Sequence, residues 1–251
     1  MNSRIPKLPR KERDIFIVCL VFLLGFLLVT LFRISFHSID TSINFWIPSI
    51  QSSALTLFAK AIAVIFDTTS LVIFSLVISG ILFLKHYKPQ GLLLLAAMGG
   101  DGLIVSVLKT LEHVARPANG IFSDTGFSYP SGHSAGCIVF GGVLAYFAWQ
   151  HWQSTRSRAL IGAGTVLVAG VVGFDRVYLN VHWLSDVLGG WLFGAFWLLS
   201  ALLVFRLLQV TGVFESERFG LAGNWLYVAA VVVSVFVVVL TMFGNYFSLW
   251  H

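Results

Sequence analysis

The sequence predicts an all-α, polytopic transmembrane helix bundle. Three observations carry this. The mean hydropathy is +0.88, and only 11% of the 251 residues are charged, against roughly 25% in an ordinary soluble domain. Apolar runs long enough to cross a hydrocarbon core of about 30 Å recur along the chain. They run Ile15–Phe32, Ser70–Leu84, Gly91–Leu108, His133–Trp149, Ala159–Phe174, Val187–Leu208 and Leu226–Phe243, some needing a few flanking residues to span.

The first run follows Arg4, Lys7, Arg10, Lys11 and Arg13 and precedes no small-x-small cleavage pattern, so it reads as a retained anchor. Residues 1–14 form a basic N-terminal segment, 15–208 a membrane-embedded core, and 209–251 a loop with an additional C-terminal span. Residues 34–69 are too polar to cross and too apolar for a free loop. Trp46, Ile50, Leu55, Leu57, Phe58, Ala61 and Phe66 among Ser, Gln51 and Lys60 predict a short amphipathic helix at the outer interface. The third run holds Asp101 near its middle, where a carboxyl must be neutral, paired or turned inward. Gly99, Gly100, Gly189, Gly190 and Gly194 are expected to permit close helix packing rather than to bind phosphate. Short connections at 85–90 and 150–158 predict antiparallel neighbours. The final run has no ionisable group and reads as a packing helix.

A net charge of +5 raises the question of an anionic polymer, but the positions of the bases give a topological account instead. If the runs alternate across the membrane, Arg4, Lys7, Arg10, Lys11, Arg13, Lys85, Lys88, Arg156, Arg158, Arg206 and Arg218 share one side. The other holds Arg33, Lys60, Lys109, Arg116 and Arg176. The positive-inside rule makes the N-terminus cytoplasmic. No nucleic-acid partner is implied. Cys19 and Cys137 lie inside apolar runs and imply neither a disulfide nor a metal centre.

Three polar islands interrupt this pattern, all expected on the extracytoplasmic side. In the first, Lys109 and Arg116 are seven residues apart, so on a continuing helix they project from one face, about 10 Å apart. Two cations there suit a multiply charged oxyanion, with interfacial snorkelling as the alternative. Pro117 is expected to end the helix, and Glu112 is a possible partner for Arg116. In the second, Pro130-Ser131-Gly132-His133 opens a helix whose N-terminal N–H groups attract an anion. Ser131 adds a hydroxyl, and His133 is placed to donate a proton to a leaving oxygen. A simple capped helix start is the alternative there.

In the third island, Arg176 offers a planar fork for phosphate oxygens. His182 and Asp186 are four residues apart and on a helix would share a face, the carboxylate holding one imidazole nitrogen while the other attacks. Metal ligation is the rival account. No second His–carboxylate pair stands at that depth, and three bases favour an anion over a cation.

The order Lys-x6-Arg-Pro, Pro-Ser-Gly-His, Arg-x5-His-x3-Asp resembles the three-part signature of the type 2 phosphatidic acid phosphatase superfamily. That group includes bacterial phosphatidylglycerophosphate and undecaprenyl pyrophosphate phosphatases and soluble vanadium haloperoxidases. The resemblance implies a six-span core acting on a lipid phosphate, without a cofactor or metal. It implies that Lys109, Arg116, Ser131, Gly132 and Arg176 bind the phosphoryl group, that His182 attacks phosphorus, that Asp186 orients His182, and that His133 protonates the leaving group and later activates water. Asp175 departs from the pattern, which usually has Ser there. A carboxylate beside a phosphate subsite should repel substrate unless it is turned away or paired with a base such as Arg176 or Lys109.

The connection 118–129 has no charge except Asp124, and Phe122, Phe127 and Tyr129 are expected to line an apolar entrance. This favours a lipid phosphate such as phosphatidylglycerophosphate, phosphatidate or undecaprenyl pyrophosphate. Phosphotransfer from a polyprenyl pyrophosphate to an acceptor lipid requires the same histidine. An anion transporter or flippase would spread ionisable groups through the membrane depth, and here only Asp101 lies deep. A purely structural membrane subunit leaves three matched islands without a role.

Overall fold

The structure is a computed structural model, described here for residues 9–122 and 124–214. The predicted seventh span and the first basic residues lie outside the described residues. Among those described, eight α-helices and two single 3-10 turns account for the regular structure, and no strand occurs.

Helix α1 (Arg10–Leu31) is followed by α2 (His37–Trp46), α3 (Ser53–Ile65), α4 (Thr68–Leu84), α5 (Lys88–Glu112), α6 (Gly132–His151), α7 (Thr155–Tyr178) and α8 (Leu184–Val210). Five of these, α1, α5, α6, α7 and α8, are long and apolar enough to cross a membrane. Taken together, α3 and α4, bent by 47° at their junction, are also long and apolar enough to make a sixth, as a broken span or a re-entrant loop. Several starts are set by side chains that accept an otherwise orphaned backbone N–H. Ser52 accepts from Leu55, Asp67 from Thr69, Ser131 from Ser134 and Ser154 from Ser157. Pro89 sits in the first turn of α5, where its missing N–H costs nothing.

Each of the first six predicted runs matches a helix, usually a turn longer, because the amphipathic ends continue the backbone ladder beyond the apolar stretch. Residues 34–69 differ from expectation. Instead of one interfacial helix they form α2, α3 and two 3-10 turns, divided near Pro48 and by the caps Ser52 and Asp67. This segment buries one face on the bundle: Ala59 and Ala63 pack with Tyr178, Leu179 and Val181.

Helix α8 is the central element. It packs along α1 and α6 and also touches α5 and α7. Small residues allow the closest approaches. A Cβ on Gly190 would lie 2.6 Å from the Ser131 carbonyl oxygen, one on Gly194 2.8 Å from that of Ala135, and one on Gly189 2.5 Å from the Tyr129 ring. Gly100 likewise abuts Trp197, whereas Gly99 faces open space and plays no packing role. At the far end Arg206 donates twice to Glu12, at 3.0 and 2.7 Å, tying α8 to α1. Large apolar side chains on the outer faces of α1 and α7, such as Leu24, Leu28, Val166 and Leu167, are exposed, as lipid contact requires. The chain is a multi-pass membrane protein. Following the helices in order, the three polar islands fall at one end of the bundle, and Lys11, Arg158 and Arg206 at the other.

Candidate active site

The start of α8 is where the third island is built. Asp186 is the third residue of α8, and its Oδ2 accepts the backbone N–H of Trp183 at 2.8 Å, closing the first turn. The same oxygen accepts from the Ser128 hydroxyl and lies 3.2 Å from His182 Nδ1. His182 therefore meets Asp186 across the helix-capping turn rather than along a helical face, since α8 begins only at Leu184. With Nδ1–H given to Asp186, the lone pair is on Nε2, where it accepts from Arg116 Nη1 at 3.1 Å. His182 is 2% exposed and Asp186 fully buried. Burial first, then the Arg116, Lys109 and Arg176 cations, hold the His182 imidazole well below its ordinary value.

The first island differs from the sequence expectation. Helix α5 ends at Glu112, with His113 left-handed at φ 49° as its C-cap, so Pro117 does not end the helix and Arg116 lies on the extended segment beyond it. Arg116 is thus free of the helical spacing to Lys109. It pairs with Asp124 at 3.0 Å, not with Glu112, and donates to the carbonyls of Val181 at 2.8 Å and Gly126 at 3.1 Å. Burial lowers its affinity for the proton, with Asp124 acting in the opposite sense. Lys109, still on α5, donates to Phe127 O at 2.6 Å. The loop 124–128 therefore lends carbonyl oxygens to both cations, in places where phosphate oxygens would be equally good acceptors.

In the second island Ser131 is buried and caps α6, accepting from Ser134 N at 3.4 Å and Ser134 Oγ at 3.0 Å. Its own N–H donates to Asp186 O at 3.0 Å, so the loop and the third island are joined through backbone. Gly132 and His133 occupy the first turn of α6, and His133 Nε2 lies 3.7 Å from Asp67 Oδ1.

Asp175 resolves as an immediate partner of Arg176. Its Oδ2 accepts from Arg176 Nε at 2.8 Å and also from Nη2, with both side chains almost completely buried. The carboxylate therefore does not stand opposite an incoming phosphate as a free charge. Tyr129 does not line an entrance either. It is fully buried, stacks on Phe26, and shares a 2.7 Å hydrogen bond with Thr30, and burial pushes its phenol up to about 12.

All eight predicted site residues thus gather at one end of the bundle, and the structure adds three acids and alcohols that sequence reasoning missed. Asp67 faces His133, Ser128 supports Asp186, and Asp40 on α2 accepts from Ser185 N at 2.9 Å and Ser185 Oγ at 2.6 Å. Asp67-Thr-Thr was visible as a helix-start pattern, but its proximity to His133 depends on tertiary packing. Ser128 and Asp40 carried no local signal.

Comparison with known proteins agrees with this geometry. Residues 90–210 match the PAP2 superfamily model. Phosphatidylglycerophosphatase B of Bacillus subtilis is 37% identical over 117 residues, covering 45% of this chain and 57% of that protein. The undecaprenyl-diphosphatase of Sulfolobus acidocaldarius is 35% identical over 71 residues, 28% of this chain and 30% of its own length. The chain therefore matches little more than half of one of these curated relatives and under a third of the other. A crystal structure of a transmembrane PAP2-type phosphatidylglycerolphosphate phosphatase from Bacillus subtilis superposes with a TM-score of 0.63 at 27% identity, over 80% of this chain and 98% of that one. Residues 90–210, a little under half of the chain, thus match the PAP2 superfamily, and the fold that surrounds them resembles that of a transmembrane PAP2-type phosphatase.

Proposed function

We propose that this protein is a membrane lipid phosphatase that hydrolyses a phosphate monoester or pyrophosphate headgroup through a phosphohistidine on His182. The observation that carries this is the state of His182. Its Nδ1 is committed to Asp186, and its Nε2 lone pair lies among the cations Arg116, Lys109 and Arg176. A neutral imidazole beside three positive charges is a nucleophile arranged for an anionic electrophile.

In this mechanism the phosphoryl oxygens take over the hydrogen bonds that Lys109 and Arg116 make to the 124–128 loop, with Arg176, Ser131 and the Gly132 N–H completing the cradle. Arg116 withdraws from Nε2 as it turns to the phosphate, which exposes the lone pair. Nε2 bonds to phosphorus as the P–O bond to the leaving group breaks, and His133 gives that oxygen a proton. His133 then takes a proton from water, whose oxygen attacks phosphorus and releases inorganic phosphate and neutral His182. Negative charge on the equatorial oxygens is met by side-chain cations, the positioning and electrostatic strategy of phosphoryl transfer. The resemblance of the chain to a phosphatidylglycerophosphatase and an undecaprenyl-diphosphatase supports a lipid substrate. Basic residues clustered at the end opposite the site support an extracytoplasmic active face.

The test is phosphate release from phosphatidylglycerophosphate, phosphatidate and undecaprenyl pyrophosphate in detergent with chelator present. Release by the wild-type protein and none by His182→Ala is expected. Activity that needs added metal, or that survives loss of His182, overturns the mechanism; phosphate appearing on an acceptor lipid instead of in solution identifies a transferase.

A further inference from the structure

A cavity of about 240 Å³ opens beside the phosphate cradle, between α4, α5 and α6, and Lys109, Gly132, Thr68, Leu71, Val105 and Asp101 are among its lining residues. Lys109 and Gly132 are shared with the cradle, so cavity and cradle are continuous. Asp101 lies two helical turns below Lys109, about 12 Å further toward the centre of the bundle. It is 4% exposed, its Oδ1 has no hydrogen-bond partner, and no described ion pair includes it. Its other oxygen reaches to 3.6 Å of the place where a side chain on Gly136 would begin. The glycine leaves that room open.

A buried carboxyl without a partner is costly, and the neutral form is the one an apolar cavity accepts at least expense. Such a group has an O–H to give. Resting on the lipid phosphatase function above, the occupant of the cavity is the part of the substrate that follows the headgroup into the membrane. In an ester-linked glycerolipid that part carries carbonyl oxygens, which only accept hydrogen bonds. In a polyprenyl phosphate it is hydrocarbon, and the Asp101 carboxyl would stay unpaired.

We propose that Asp101 forms a specificity subsite that donates a hydrogen bond to an ester carbonyl of a glycerolipid phosphate, favouring glycerolipid over polyprenyl substrates. The subsite recognises the linkage, not the phosphate. A side chain that merely supports the fold would affect every substrate alike; this one affects the ratio between substrates.

The experiment compares kcat/KM of the full-length protein on dioleoyl phosphatidate and on its di-O-alkyl ether analogue of the same chain length, which lacks only the carbonyls. The wild-type protein is expected to prefer the ester about tenfold, the scale of one buried hydrogen bond with its desolvated donor. Asp101→Leu is expected to lower that ester-to-ether ratio to about one, and Asp101→Asn, which keeps a donor of the same shape, to preserve most of it. A wild-type ratio near one overturns the subsite without recourse to any variant, as does an Asp101→Leu protein that keeps the wild-type ratio. A wild-type protein that releases no phosphate from either lipid overturns instead the phosphatase function on which the subsite rests.

Discussion

In the proposed mechanism His182 needs to be neutral to attack and must sit among cations that would capture the phosphate. Its surroundings satisfy both needs at once, because burial and the neighbouring positive charges that attract the substrate also repel a proton. The sign of the pH dependence follows. A group held below its ordinary value of 6.5 stays unprotonated as pH falls past that value, so the acid limb of kcat/KM is expected below pH 6.5, read in a pH–rate profile of the free enzyme. Arg116→Gln removes one of these charges and is expected both to lower kcat/KM and to move the acid limb upward. Asp67 is tested in the same spirit. Asn caps a helix about as well as Asp, so Asp67→Asn retains the start of α4 while removing the charge facing His133 Nε2. Turnover is expected to fall by about tenfold or more on alkyl phosphates and less on an aryl phosphate, whose leaving group hardly needs a proton; equal losses on both would detach Asp67 from proton transfer. At Asp175, substitution by Ser is expected to keep phosphatase activity but to leave Arg176 buried without its partner. The variant should unfold at lower temperature, with the loss partly recovered by inorganic phosphate. Residue identities were the most legible level: the residues of all three motifs gather at one end of the bundle. What spacing misjudged was how they are carried. Arg116 lies beyond a helix that ends at a left-handed His113, and His182 meets Asp186 across a cap, because chain direction at helix ends is settled by local backbone and tertiary hydrogen bonds.

At the scale of elements, the site is held by contacts between a helix start and whatever crosses it. Ser131 sits against Gly190, and α2 reaches over to α8 through Asp40 and Ser185. A methyl group at position 190 would meet a backbone carbonyl, which cannot swing aside like a flexible side chain. Gly190→Ala is therefore expected to lower kcat/KM at least about tenfold by displacing the phosphate loop, while circular dichroism in detergent still reports a helical protein. Wild-type activity in that variant would show that the loop tolerates the shift. The helical runs themselves were plain in the sequence, since their hydropathy needs no partner to be seen. Residues 34–69 were less so. Their apolar positions were recognised, but not that they clamp the segment from Tyr178 to Ser185, because Gln51 to Tyr178 O and Asn180 to Asn44 O are pairings across more than a hundred residues.

For the whole molecule, the charge asymmetry and the direction of the helices support the proposed arrangement: site outward, basic end inward. A cysteine introduced at Asn119, exposed in the loop near the site, is expected to react with a membrane-impermeant maleimide in intact cells. One at Gln153, between α6 and α7, is expected to react only after permeabilisation. The reverse pattern would place the site in the cytoplasm. The central claim, however, concerns a covalent bond. Rapid quenching of the wild-type protein with lipid labelled with radioactive phosphorus on its scissile phosphate, under chelation and at alkaline pH, is predicted to yield an acid-labile, base-stable label on the peptide containing His182. His133→Ala is predicted to accumulate that label with an activated substrate, and His182→Ala to show none. Turnover without any label at His182, or a label that persists in His182→Ala, would contradict the account.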